Sequence, residues 1–143
     1  FVMTNMRLLG IDYGDKKIGL AFGDTEVNIA VPLDVVPNVG AETIRVFAKR
    51  AKSEDIDAIV VGVPLATGEH HSSKQLEKAR AFIKLLEAAT PIPVLEEDES
   101  YTTGESIRLQ REEGAQAEED ALAAMLILQS YMDRIDPTTN GGE

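Results

Sequence analysis

Cysteine and tryptophan are absent from this chain, and aromatic residues are scarce, at three tyrosines and four phenylalanines. The lack of cysteine excludes disulfides, thiolate zinc sites and thiol nucleophiles, and it fits a reducing compartment, so we expect a cytoplasmic protein. The sequence also lacks any apolar run of about eighteen residues, and residues 1–6 are too short for a secretory signal. These absences predict a protein with no membrane partner.

The 143 residues are enough for one domain that buries most of its apolar surface without disulfides or structural metals. We place this single domain at residues 7–135. The flanking residues 1–6 and 136–143 are expected to be disordered or, at the N-terminus, extraneous to the natural chain, because Phe1 cannot be an initiator.

Positive charge is in short supply, with 14 lysines and arginines against 25 acids and a net charge of −11. This balance is awkward for a polyanionic partner, because phosphate binding draws its affinity from cations. However, the acids are concentrated between Glu96 and Asp120. Two predicted helices carry basic residues that either contact phosphate or are ordinary solvated surface: Arg45, Lys49, Arg50 and Lys52, and Lys74, Lys78, Arg80 and Lys84.

Asp12 is the most informative residue. It ends a short apolar strand, Leu-Leu-Gly-Ile-Asp at 8–12, and Gly14 follows it at a tight turn into a second strand. Such a hairpin would hold the carboxylate rigidly at the rim of a sheet. The structural alternative is a turn-forming aspartate before the glycine.

Hydrophobic periodicity and chain breakers predict the remaining elements. Pro32 suggests that the third strand lies at a sheet edge, where a missing N–H is harmless. The last helix would place Leu122, Met125, Leu126, Gln129 and Met132 near one stripe. The predicted order is a hairpin at 8–23, a strand at 29–36, a helix at 41–53, a strand at 58–63, a helix at 75–89, a strand at 93–97, a helix at 102–113 opened by a capping box, and a helix at 118–132.

Three meandering strands followed by alternating helices and strands predict an α/β fold, with a mixed five-stranded sheet that is antiparallel on one side and parallel on the other. Right-handed crossovers place the 58–63 strand beside the strand of Asp12 and bring the end of the 93–97 strand close to it. The last helix, packed across the sheet, can add Asp120. Carboxylates from three distant parts of the chain would then converge.

Several sequence blocks, in this order along the chain, resemble the YqgF/RuvX family from about residue 7 to residue 135. The blocks are Gly-Ile-Asp-Tyr-Gly at 10–14, Lys-Lys-Ile-Gly at 16–19, Val-Val-Gly-Val-Pro-Leu at 60–65, Asp-Glu with Thr-Thr at 98–103, and Asp-Ala-Leu-Ala-Ala through Ile-Leu-Gln-Ser-Tyr at 120–131. The resemblance implies a ribonuclease H-like fold. It also implies a nuclease that processes the 5′ end of pre-16S ribosomal RNA, with Holliday-junction resolution as the older interpretation.

The resemblance assigns catalysis to Asp12, Glu99 and Asp120, with Mg²⁺ or Mn²⁺ held by these residues and Asp98. Hard oxygen ligands suit these ions, and two of them can hydrolyse a phosphodiester. Alternation along a strand sends Asp98 and Glu99 to opposite faces, so we expect only one to be a ligand, and the family favours Glu99.

Nucleic-acid contacts are expected from Lys16, Lys17, Thr102 and Thr103, although the two lysines could simply keep the turn soluble. The expected partner is structured RNA, with branched DNA as the alternative, and the chain would act as a monomer or a weak homodimer. We expect the adjacent His70 and His71 not to bind metal, because neighbours in a loop rarely share an ion.

Two alternatives to a nuclease stay open. Ser100 stands where the family commonly has arginine, which removes a candidate for neutralising the transferring phosphate. This departure keeps open a non-catalytic nucleic-acid or ribosome-assembly module. The hairpin with Asp12 also resembles the phosphate-binding hairpin of sugar kinases and actin-like ATPases, but those enzymes need two such lobes.

Overall fold

The computed structural model describes residues 5–64, 72–99 and 119–136 of the chain. Its strands are β1 (Arg7–Asp12), β2 (Lys17–Asp24), β3 (Ile29–Pro37), β4 (Ala58–Val63) and β5 (Val94–Asp98). Its helices are α1 (Ala41–Ser53), α2 (Ser72–Ala89) and α3 (Glu119–Ile135). None of these helices is both long enough and apolar enough to cross a lipid bilayer. The predicted helix at 102–113 lies outside the described residues.

The five strands form one sheet in the order β3-β2-β1-β4-β5. The β1–β2 and β2–β3 pairs are antiparallel, whereas β1–β4 and β4–β5 are parallel. The predicted mixed sheet and the placement of β4 beside β1 are therefore confirmed. Pro32 does lie on an edge strand, as its missing N–H predicted.

Apolar side chains cover both faces of the sheet. On one face, Phe47 of α1 and Phe82 of α2 pack over Ile11 and Val61. On the other face, α3 packs over a cluster that includes Leu8 and Val60. All six residues of β4 are buried, as expected for a central strand with helices on both sides. The sheet therefore has two distinct faces, and β1 contributes to both.

Glycines and alanines bring α3 unusually close to the sheet. A Cβ on Gly10 would lie 3.1 Å from the carbonyl oxygen of Ala124, and one on Gly23 would contact Leu128 and Met132. The predicted stripe is confirmed in part: Met132 is buried, Met125 packs against the same cluster and Gln129 bonds to the sheet, whereas Leu122 and Leu126 are only half-buried. The fully buried residues of the helix are Ala121, Ala123, Ala124, Ile127, Leu128 and Met132.

The same helix reaches the edge strand β3. The side-chain amide of Gln129 accepts a hydrogen bond from the Ala30 N–H at 2.9 Å and donates one to the Asn28 carbonyl at 3.0 Å. Two residues further along, Pro32 has no N–H to offer. On the outer edge of β3, the Ala30 N–H is therefore already bonded to α3, and Pro32 offers no N–H.

Candidate active site

Asp12 is the last residue of β1 and lies between two glycines on the neighbouring strands. Its Cα pairs with Gly19 of β2 on one side and with Gly62 of β4 on the other. Because side chains alternate along a strand, Asp12 shares the α3 face with Leu8 and Gly10. Its carboxylate therefore lies at the end of the sheet, beneath the start of α3.

Glu99 approaches Asp12 from the end of β5. Its backbone N–H donates a hydrogen bond to the Val63 carbonyl at 2.9 Å, which continues the strand pairing one residue beyond β5. Its Oε1 lies 3.2 Å from the point where a Cβ on Gly62 would stand. The side chains of Glu99 and Asp12 are hydrogen-bonded to each other. The glycine of β4 thus leaves room for Ile127 of α3, its nearest neighbour, and for the Glu99 carboxyl group next to it.

Burial and neighbouring acids shift the titration of both groups. Burial, followed by the charges of Glu99 and Asp120, raises the pKa of Asp12 well above its usual range. Burial is also the main cause of a raised pKa at Glu99. Two carboxyl groups can hydrogen-bond only when one of them is protonated, and the raised pKa of both groups favours that state. The pair therefore shares one proton where two negative charges would repel.

Asp120 lies in the first turn of α3, and its backbone carbonyl lies over Gly19, the residue that pairs with Asp12. Its charge is among those that raise the pKa of Asp12, which shows that the two carboxylates are close. Its Oδ2 also lies 4.0 Å from the Nζ of Lys17, whose side chain is 63% exposed. The structure thus brings Asp12, Glu99 and Asp120 to one end of the sheet and adds a lysine.

Asp98 lies on the opposite face of the sheet from these three residues, although its charge helps to raise the pKa of Glu99 after the larger effect of burial. It pairs with Val63, whose side chain belongs to the core beneath α1 and α2. Asp98 therefore projects to the face opposite α3, as strand alternation predicted. Of the two adjacent acids, Glu99 is the one that contacts Asp12.

The donor set fits a divalent cation in its chemistry. Carboxylate oxygens are hard ligands for Mg²⁺ or Mn²⁺, and a cation could replace the proton that Asp12 and Glu99 share. Within the described part of the chain, no three histidine or acidic side chains are arranged as a ready metal site. Asp12 and Glu99 are in contact with each other, and Asp120 would be the third residue to hold an ion.

The structure shows where the predicted nucleic-acid contacts lie. Lys16 is exposed in the turn between β1 and β2, and its carbonyl accepts a hydrogen bond from the Asn38 N–H at 2.8 Å. Lys17 is the partner of Asp120 described above. Thr102, Thr103, His70 and His71 lie outside the described residues. The two lysines therefore flank the site, and the threonines stay a prediction.

Several basic residues of α1 and α2 have acidic partners. Lys78 lies 3.1 Å from Asp15, and Arg80 makes two hydrogen bonds to Glu96, at 2.8 and 2.9 Å. These ion pairs favour the interpretation of the two basic helices as solvated surface. They also place Lys78 against the turn that follows Asp12.

Three positions that shape the candidate site were not singled out from the sequence. Gly19 leaves space for the Asp120 backbone, Gly62 for Ile127 and Glu99, and Glu119 adds a charge that raises the pKa of Asp12. Glycines inside strands signal close approach of another chain segment, so that signal was available. Glu119 looks like any acid in the first turn of a helix, and only the fold shows its proximity to Asp12.

Comparisons with known proteins agree with this geometry. The family model RuvX, described as Holliday junction resolvase, matches residues 6–134. A relative named "Putative pre-16S rRNA nuclease" from Syntrophus aciditrophicus is 38% identical over 136 residues, covering 91% of this chain and 90% of its own length. A relative of the same name from Chloroflexus aggregans is 33% identical over 138 residues, covering 92% and 96%.

Solved structures share the fold at low sequence identity. Thermus thermophilus RuvC, in complex with a Holliday junction substrate, has a TM-score of 0.59 and 15% identity, and the match covers 90% of this chain and 95% of RuvC. The fowlpox virus Holliday junction resolvase has a TM-score of 0.58 and 14% identity, with 92% and 100% covered. The expected ribonuclease H-like fold is therefore confirmed.

Proposed function

The chain belongs to the RuvX family, and from this membership we propose that it is a divalent-metal-dependent nuclease that processes the 5′ end of pre-16S ribosomal RNA. The supporting observation is the hydrogen-bonded pair of Asp12 and Glu99, with Asp120 close by, at the end of a ribonuclease H-like sheet. Half-buried acids that repel one another are costly to a fold, so a cluster of this kind fits a cation-binding role.

In this proposal Asp12, Glu99 and Asp120 hold the metal. A bound divalent ion supplies the positive charge that activates water for in-line attack and stabilises the leaving oxygen. Asp12 must release its shared proton before it can act as a ligand, and Glu99 then accepts no hydrogen bond from it. Asp98 projects to the other face and is assigned no direct role in holding the ion.

Lys16 and Lys17 would contact the phosphates of the substrate. Both lie in or next to the turn after Asp12, and both are exposed, so they can reach a backbone lying across the site. Lys17 lies at 4.0 Å from Asp120 and is 63% exposed, so its ammonium group would be free to contact a phosphate oxygen beside the site. Thr102 and Thr103 are proposed as further contacts, on the resemblance alone.

Branched DNA is the second candidate substrate. The matching family model carries the description Holliday junction resolvase, and a resolvase must cut two strands of one junction. That activity would need two active sites and hence a dimer, whereas RNA processing is compatible with a monomer or a weak homodimer. We place both activities in the cytoplasm.

The test is a cleavage assay with purified protein on a pre-16S leader RNA and on a four-way DNA junction, each with Mg²⁺ or Mn²⁺. Asp12→Asn should abolish cleavage. Asp24→Asn is the matched control, because Asp24 lies at the opposite end of the hairpin and its hydrogen bond to the Glu26 N–H, at 2.8 Å, can be kept by asparagine.

Each outcome assigns a function. Metal-dependent cleavage of the RNA, lost in Asp12→Asn and kept in Asp24→Asn, supports the proposal. Cleavage of the junction alone favours the resolvase, and the dimer is then sought by sedimentation. If neither substrate is cut although both are bound, the nuclease proposal is wrong and a non-catalytic ribosome-assembly module takes its place.

A further inference from the structure

A buried acid outside the catalytic cluster connects β5 to the last helix. Glu97 is only 6% exposed and lies on β5, two residues before Glu99 and on the same face. It accepts a hydrogen bond from the Ser130 hydroxyl at 3.1 Å and is paired with Arg134. We call Glu97, Ser130 and Arg134 the Glu97 clamp. Nothing in the proposed chemistry uses these three residues.

The opposite side of α3 is hydrogen-bonded to the other edge of the sheet. Gln129 bonds to the backbone of Ala30 in β3 and of Asn28 just before that strand. The Asp133 carboxylate accepts hydrogen bonds from the side chains of Asn28 and Gln129 at 3.2 and 3.1 Å. The C-terminal half of the helix is therefore held from both edges of the sheet. Between these two sides, Ile127, Leu128 and Met132 pack against the apolar cluster and the glycines of the sheet, and the polar bonds add fixed directions to that packing.

The geometry points to the Glu97 clamp as a positioning device for Asp120, an inference that rests on the proposed metal-dependent function. Ser130 lies about 15 Å from Asp120 along the helix axis, at about 1.5 Å per residue. A slide of α3 by one residue would displace Asp120 by that same rise. Metal ligands must be placed to within about 0.2 Å, so the far end of the helix sets the geometry at the site.

Directional contacts suit this role better than they suit stability. The side chain of Arg134 is 58% exposed, so solvent screens its attraction to Glu97 and the ion pair adds little to stability. The hydrogen bonds of Glu97 to Ser130 and Arg134, by contrast, can form only when α3 has one position along its axis and one rotation about it. Glu97 and Arg134 therefore act as positioning residues, through Asp120, and touch neither metal nor substrate.

The test replaces the pair with apolar side chains of similar length, in the double variant Glu97→Met/Arg134→Met. This change leaves no unpaired buried charge, and Ser130 can bond back to its own helix. The matched control is Glu96→Met/Arg80→Met, which removes an ion pair from the adjacent residue of β5 on the face away from α3. If the double variant fails to fold, Glu97→Gln takes its place, because it removes the charge and keeps a partner for Ser130.

Two readouts are needed. In the metal-free protein, the amide resonance of Gly19 reports the position of Asp120, because the two backbones are in direct contact. We expect this resonance to shift in the clamp variant and to stay in place in the control. In the second readout, Mn²⁺ affinity measured by calorimetry should fall by about tenfold or more in the clamp variant, as is typical when a residue supporting a metal ligand is lost.

A folded clamp variant with the wild-type Gly19 resonance overturns the inference. So does a Gly19 shift of the same size in the control. If wild-type protein binds no Mn²⁺ at all, the proposed function fails, but the Gly19 resonance still decides whether the clamp positions α3. Failure of the two proposals is therefore distinguishable.

Discussion

Gly19 lies directly beneath the backbone carbonyl of Asp120, so close that a Cβ on the glycine would overlap the carbonyl oxygen. The same glycine pairs with Asp12 across the hairpin. One residue without a side chain therefore separates two acids of the candidate site. The start of α3 can lie close to Asp12 because Gly19 has no Cβ.

Replacement of Gly19 with alanine should push the start of α3 away from the sheet. We expect a loss of about 1–3 kcal/mol in unfolding free energy, as for other overpacked cores, together with weaker Mn²⁺ binding. Denaturant unfolding and calorimetry measure the two effects. Gly10→Ala is the graded control, because its nearest contacts lie at 3.0–3.2 Å and involve the middle of the helix. A Gly19→Ala protein with unchanged metal affinity would contradict the prediction.

The pH dependence of stability should reveal the shared proton. Because the folded state raises the pKa of Asp12, mainly by burial and then by the charges of Glu99 and Asp120, the folded protein binds more protons than the unfolded one. Stability should therefore fall as pH rises above the ordinary carboxyl pKa of about 4 and through the raised value. This loss should appear in thermal unfolding scans between pH 4 and 8 in EDTA.

Asp12→Asn should flatten that pH profile and make the metal-free protein more stable than wild type at neutral pH, although it abolishes cleavage. Added Mg²⁺ should stabilise wild type at neutral pH and leave Asp12→Asn almost unchanged. Asp24→Asn again serves as the control. Parallel pH profiles for wild type and Asp12→Asn would show that the pair does not carry the proton.

The two adjacent acids at the end of β5 should differ sharply in importance. Glu99→Gln should reduce cleavage by more than about 100-fold, since even a residue that merely supports a ligand can cost that much. Asp98→Asn should stay close to wild type, because Asp98 projects to the other face of the sheet. Single-turnover cleavage at saturating metal measures both. Equal losses would show that strand alternation does not separate their roles.

Lys17 should influence both substrate and metal. Lys17→Ala should lower the salt dependence of nucleic-acid binding by about one unit in the log–log slope, as expected for one lost phosphate contact. Lys52→Ala on α1 is the control and should leave the slope unchanged. Filter binding at several salt concentrations measures the slope, and an unaltered slope for Lys17→Ala would remove this residue from the interface.

The order of strands and helices could be predicted because each element carried its own signal. The six buried residues of β4 form a continuous apolar run, and the exposed edge of the sheet was marked by Pro32. Asp12 stood out because an acid at the end of an apolar strand is unusual. These signals are local, so they can be detected without knowledge of the tertiary structure.

The packing of α3 could not be predicted in the same way. Leu122 and Leu126 fitted the predicted stripe, but the most buried face of the helix carries Ile127, Leu128 and Met132, which contact glycines of the sheet. Glu97 was also indistinguishable from the solvated acids around it. Its burial depends on Ser130 and Arg134, which are more than thirty residues away in sequence.

The bond between Gln129 and the Ala30 N–H has a consequence for association between molecules. Exposed strands with free donors invite further strands to add, and Ile29 and Val31 make this border of the sheet apolar. The Ala30 N–H is already bonded to Gln129, and Pro32 has no N–H. A further strand could therefore not form a continuous row of backbone hydrogen bonds with β3. The helix that carries Asp120 thereby also discourages unwanted polymerisation.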